Sequence, residues 1–219
     1  MKTIVLFKVV KLVGELGFEG RNIYFWVLIS KIFKMTNEQI KASIETNELK
    51  LSFGDKFAHY FIIVFLLFMP MFLISSKIYD YFKGISNPIE GEIWFIIIPT
   101  ALAPFAYVLQ RNRLKFLVVE SNLPKEEIHR IIEKVAKELE WKIFKQNEKM
   151  VLATTSPSFF SGSWGELITI LFDKNRILVN SICDPGKKTS LVSWGRNKNN
   201  MLWLIDDINK ANQLISQIS

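Results

Sequence analysis

The residues best placed to do chemistry lie just ahead of the C-terminal apolar stripe. They are Gly195-Arg196-Asn197-Lys198-Asn199-Asn200, with Lys187 and Lys188 in the preceding turn. Basic side chains beside the free backbone N–H groups that open a helix favour an anion. Arg196, Asn197, Lys198, Lys187 and Lys188 are therefore expected to hold a phosphate, nucleotide or lipid headgroup. The simpler reading is a turn with an asparagine cap. The segment has no Walker lysine motif, and no strand-linked Gly-x-Gly-x-x-Gly precedes it. A second group, Phe159, Phe160 and Trp164, sits among serines and glycines in the stretch 156–165. Loops of that length often carry function, so these aromatics are expected to dock a partner, to dip into a membrane, or to fold back on their own domain.

Bond-making chemistry is harder to assemble. The single cysteine, Cys183, excludes an intrachain disulfide and has no second thiol with which to share a metal. It stands at the end of an apolar run beside Asp184 without an activating base, which fits a small buried hydrophobe. His129 falls among charged neighbours and reads as solvated. Glu126/Glu127 and Asp206/Asp207 are adjacent on helical stretches, where neighbours do not face each other, so they read as solvated faces. Trp141, Trp194 and Trp203 read as core or edge aromatics. No catalytic residue, metal or cofactor is expected.

The elements that would position these residues occupy 111–219. Leu114–Glu120 is β-branched and apolar, a strand. Pro124, Glu126 and Glu127 open a helix whose stripe is Ile128, Ile131, Ile132, Val135, Ala136 and Leu139. A hairpin follows from Trp141 through the turn 146–149 to Met150–Thr155. A second joins Glu166–Phe172 to Arg176–Cys183 around Asp173-Lys174-Asn175. Thr189–Trp194 is expected as a last strand, and a helix from about Asn199 to Ile218 follows. Strands joined by short turns imply an antiparallel sheet with both helices on one face, an α+β domain.

Ahead of this domain lie two apolar runs. Phe57–Ser76 has twenty residues, twelve of them Phe, Leu, Ile or Val. At ~1.5 Å per residue it matches the roughly 30 Å hydrocarbon core of a bilayer. Ile93–Gln110 is shorter and holds Pro99 and Pro104, so a kinked helix packed on the first is expected, with Thr100, Ala101, Ala103 and Ala106 permitting close approach. The fold class is then a membrane α-helical hairpin of two transmembrane helices carrying a cytoplasmic α+β domain. Residues 35–56 are a polar N-terminal segment, with Ile40, Ile44 and Leu51 spaced as a short amphipathic helix. Residues 77–92 are an external loop. Residues 1–34 are a basic apolar leader, either an interfacial helix or an artefactual upstream extension of a protein that starts at Met35.

Charge sets the orientation. The net +7 divides into +4 over residues 1–34, −2 over 35–110 and +5 over 111–219. The loop between the runs has Lys77 and Lys83. The outer flanks have Lys41, Lys50, Lys56, Arg111, Arg113 and Lys115. Lysine and arginine favour the cytoplasmic side, so both termini are expected there, with the chain multi-pass in a cell (inner) membrane. Usage rich in Lys, Ile and Asn suggests a bacterial AT-rich genome. Tethering without chemistry points to an adaptor, sensor or assembly component. Its partners would be the lipid bilayer, a protein or anionic ligand at the cytoplasmic domain, and a second copy of the chain; nucleic acid is not expected. The alternatives are a membrane-associated enzyme acting on lipid or nucleotide, or a subunit of an oligomeric channel or transporter.

Overall fold

The computed structural model describes residues 35–85, 91–156, 164–187 and 195–218. The leader 1–34, the expected strand Thr189–Trp194, and Phe159, Phe160 and Lys188 lie outside them. From Asn37 onward the described residues form one compact unit. Its elements are α1 (Asn37–Thr46), α2 (Phe53–Phe82), α3 (Ile93–Arg113), β1 (Leu117–Glu120), α4 (Lys125–Glu138), β2 (Lys142–Gln146), β3 (Met150–Thr154), β4 (Glu166–Asp173), β5 (Arg176–Cys183) and α5 (Arg196–Ile218).

The two apolar runs are both helices, and the first is longer than its uncharged stretch. Ser52 starts α2: its hydroxyl accepts from the Asp55 N–H and donates to the Asp55 carboxylate. This reciprocal cap extends the helix outward by one turn. At the other end nothing breaks the backbone until Gly84, whose φ of 68° ends the helix in the left-handed region. Lys77–Phe82, expected in the connecting loop, is therefore helical. At ~1.5 Å per residue α2 is about 45 Å long and α3 about 31 Å. The two pack side by side. Tyr60 stacks on Tyr107 at 5.7 Å, Ala103 and Pro70 are buried, and Lys77 meets Glu92 at 2.7 Å. α1 is shorter than its spacing suggested and ends before Leu51.

The sheet has five strands in the order β1-β5-β4-β3-β2, all antiparallel. Two expected hairpins supply β2-β3 and β4-β5. β1 instead pairs with β5, the most distant strand in sequence. One face carries Val151, Ala153, Ile168, Ile170, Ile177 and Val179, and the apolar stripes of α4 and α5 close over it. That is the expected α+β arrangement. The opposite face holds Leu152, Leu167, Thr169, Leu171, Leu178, Asn180 and Ile182, all fully buried. Among the described residues, α1 and the segment 113–116 lie against it.

Candidate functional site

The polar residues of the domain converge at one end of the sheet. Alternation along β4 puts Glu166 on the same face as Ile168 and Ile170, so its carboxylate points into the helix-covered layer. It is fully buried. The Thr155 hydroxyl donates to Oε2 and accepts from the Glu166 N–H at 2.8 Å, while Arg196 Nη2 approaches Oε2 to 3.5 Å. Oε1 has no partner. Next to it, at Gly165, φ is 119°, and an added Cβ would fall 2.5 Å from Lys187 Nζ and 2.6 Å from the Thr155 carbonyl. The backbone carbonyl and the positive φ together reserve this position for glycine.

Asp184 continues the cluster from the end of β5. Its Oδ1 accepts from the Gly186 N–H at 2.9 Å, and Oδ2 lies 3.8 Å from Lys187 Nζ. That ammonium donates to the Thr155 carbonyl at 3.1 Å. Burial raises the Asp184 carboxyl above the usual aspartate range, against the opposing pull of the Gly186 N–H and Lys187; Asp55 on α2 adds to the rise. Burial lowers the Lys187 ammonium, against the pull of Asp184 and Glu166. Each is driven toward its neutral form, as expected of an ion pair short of water. Deeper in the layer, Ser181 donates to Asn197 at 3.1 Å and accepts from Asn200 at 3.2 Å, and Trp141 Nε1 donates to Asn200 at 3.3 Å. Asn197 donates to Cys183 Sγ at 3.9 Å.

The structure thus brings together Arg196, Asn197 and Lys187 from the expected anion site, while Lys198 is exposed one position further along α5. α5 starts at Arg196, three residues earlier than the stripe suggested, so these residues form its first turn. Arg196 and Lys187 face Glu166 and Asp184: two cations against two carboxylates. Among the described residues, the spare hydrogen-bonding capacity of the cluster is two acceptors, Glu166 Oε1 and Asp184 Oδ2. Trp164 is exposed. His129, expected solvated, is half-buried, with Nδ1 3.2 Å from Gln146 Nε2 and its ring against Phe172. Asp207, also expected on a solvated face, receives Lys134 at 2.8 Å and ties α5 to α4. Trp141 is core, whereas Trp203 is half-exposed on α5. Among the described residues no group of His, Cys, Asp and Glu could hold a metal ion.

A second polar junction joins the sheet to the base of the apolar pair. Asn180 Nδ2 donates to the carbonyls of Arg113 and Lys115, both at 2.9 Å. Leu49 N–H donates to the Leu114 carbonyl at 2.8 Å, and Phe116 N–H to that of Asn47 at 3.0 Å. His59, buried within α2, places Nε2 2.9 Å from the Gln110 carbonyl of α3. Only three residues separate α3 from β1, and these bonds fasten them. The sequence reading missed Glu166, Thr155 and Asn180. For Glu166 the signal was available, because its parity with Ile168 and Ile170 assigns it to the core face.

No family model matches the chain, and neither a curated protein nor a solved structure resembles it significantly. Its two apolar helices and five-stranded antiparallel sheet are consistent with an α+β protein that carries a pair of candidate membrane helices.

Proposed function

We propose that this is a two-span integral membrane protein whose α+β domain is a binding module, acting as an adaptor, sensor or assembly component at the cytoplasmic face of a cell membrane. One observation carries the membrane assignment. α2 and α3 turn their large apolar side chains outward: Phe68 and Phe72 are each 60% exposed, Trp94 61% and Phe105 63%. Core helices of a water-soluble protein bury such residues, and each would gain about 1.5–3 kcal/mol by leaving water. The six Lys/Arg of the outer flanks against two in the connecting segment favour both termini on the cytoplasmic side.

The module role is supported by the mounting and the surface of the domain. The three-residue connection and the Asn180 bonds make it a rigid extension of α3 rather than a body on a string. Trp164, Leu202, Trp203 and Leu214 are exposed on it, apolar surface of the kind that protein partners cover. Membrane washing at alkaline pH tests the assignment: the chain should stay with the bilayer and leave only with detergent. Reporters inserted at Gly84 and fused at the C-terminus should fall on opposite sides. A detergent-free monomer in the supernatant overturns the proposal.

A further inference from the structure

We propose that the cavity at the base of α2 and α3 is a binding site for one anionic glycerophospholipid. The inference rests on the membrane assignment above and goes beyond it by naming a ligand. The cavity holds about 580 Å3 and is lined by the 48–51 segment, one face of α2 and one face of α3. On α2 the lining runs Lys56, Tyr60, Ile63, Val64; on α3 it runs Arg111, Tyr107. These are spacings of one helical face, so each helix presents a cation, then an aromatic, and α2 then presents aliphatic residues further along. At ~1.5 Å per residue the tyrosines lie about 6 Å from the cation level and Val64 about 12 Å from it. A phospholipid has the same order: phosphate, glycerol ester, acyl chain.

Charge selects the headgroup. Lys50, Lys56 and Arg111 face Glu48 alone, three positive groups against one negative, net +2. Glu48 sits 3.5 Å from Lys50 and 3.9 Å from Arg111, loose distances that an incoming phosphate can replace. Lys56 has no carboxylate within ion-pair reach among the described residues. The inner wall distinguishes a lipid from free phosphate. Ile63, Val64 and the stacked pair Tyr60–Tyr107 are apolar, and Val64 and Tyr107 are also part of the outward-facing surface of the helices. A ligand must therefore place a hydrocarbon segment beside its anion. A neutral zwitterionic lipid would fit the wall but not use the surplus charge.

The test is native mass spectrometry of the full chain released from detergent, titrated with phosphatidylglycerol and, separately, phosphatidylcholine. Wild type should retain one phosphatidylglycerol on the order of tenfold more strongly than phosphatidylcholine, with inorganic phosphate failing to displace it. Lys56→Gln with Arg111→Gln should abolish that preference. Glu48→Gln removes the competing carboxylate and should increase retention, a gain that misfolding cannot mimic. Equal retention of both lipids by wild type, or a preference untouched by all three changes, overturns the site while leaving the membrane assignment intact. Displacement by inorganic phosphate overturns the lipid in favour of a bare anion site. A chain that is soluble without detergent overturns both proposals together.

Discussion

The apolar pair and the domain use similar residues in opposite ways. In the domain, Ile132, Ile168, Ile170 and Leu204 are fully enclosed, and the outer face of α4 is charged. In α2 and α3, phenylalanines and isoleucines point outward, while the buried positions include Ala103, Pro70, His59 and Gln110. Water drives apolar groups together; hydrocarbon does not, and helices within it associate through small residues and hydrogen bonds instead. The inversion across one three-residue junction is what a chain with two solvents would show.

The contrast can be broken most directly in the domain. Ile132→Ala opens a void where side-chain packing from α4, β-strands and α5 meets, and should lower the unfolding free energy of the domain by about 2–5 kcal/mol. Chemical denaturation of the detergent-solubilised full chain, followed by tryptophan fluorescence, would report it. A loss under 1 kcal/mol, on the order of what a surface substitution gives, would mean the core is not closed as described. Phe68→Arg is the matching probe in α2. The exposed side chain predicts almost no effect in water, but a charge near mid-bilayer costs about 2.5–3.5 kcal/mol of insertion free energy. The expected outcome is a larger fraction of chain washed off membranes at alkaline pH; an unchanged fraction would remove the bilayer from the explanation.

How much of this was legible in the residues follows the same divide. Long uncharged runs and the 3.6-residue stripe of α4 announce themselves, because each depends only on local order. The two hairpins were readable from their turn residues. The pairing of β1 with β5 was not, because it joins segments about sixty residues apart and leaves no local mark. Burial of both sheet faces was partly written in β4. Leu167 and Leu171 are apolar as well as Ile168 and Ile170, so the strand lacks the alternation of a half-wet sheet. The basic turn was read from its charge and its place at the start of a helix. Its neutralising partner Glu166 lies on a separate strand, while Asp184 sits only three residues before Lys187, and a cation's role depends on what faces it in space. The helix extensions at Phe53 and Phe82 show that caps, rather than the ends of hydrophobicity, set α2's length.

The junction itself offers a finer probe. Asn180→Ala deletes both bonds to the Arg113 and Lys115 carbonyls and leaves those part-buried acceptors without their donor. Losing them should cost about 1–3 kcal/mol. The loss should be local: hydrogen exchange should accelerate at Leu49 and Phe116, whose amides bond across the same junction, before it accelerates in β3. Uniform acceleration through the sheet would show that Asn180 supports the core rather than the mounting.

The smallest effect concerns the polar end of the sheet, where the domain departs from its own rule of dry apolar packing. Burial raises the Asp184 carboxyl, so the folded chain keeps that proton to higher pH than the unfolded chain does. Between the ordinary aspartate range and the raised folded value, the native state binds more protons. Stability contributed here is therefore full at the acidic end and declines as pH rises through that window. Lys187 works in the opposite sense at alkaline pH: its lowered ammonium sheds a proton in the folded state first, so stability rises with pH up to the usual lysine range. Asp184→Asn keeps a side-chain acceptor for the Gly186 N–H and cannot ionise. It should flatten the decline at the acidic end. It should also deepen the alkaline rise, because Lys187 loses its nearest counter-charge. Melting temperatures of wild type and variant, measured from roughly pH 4 to 10, should therefore diverge as pH climbs through the carboxylate window, with the variant the more stable. A constant gap between the two curves would show that Asp184 ionises in the fold as freely as it does in water, and the cluster would then be wet.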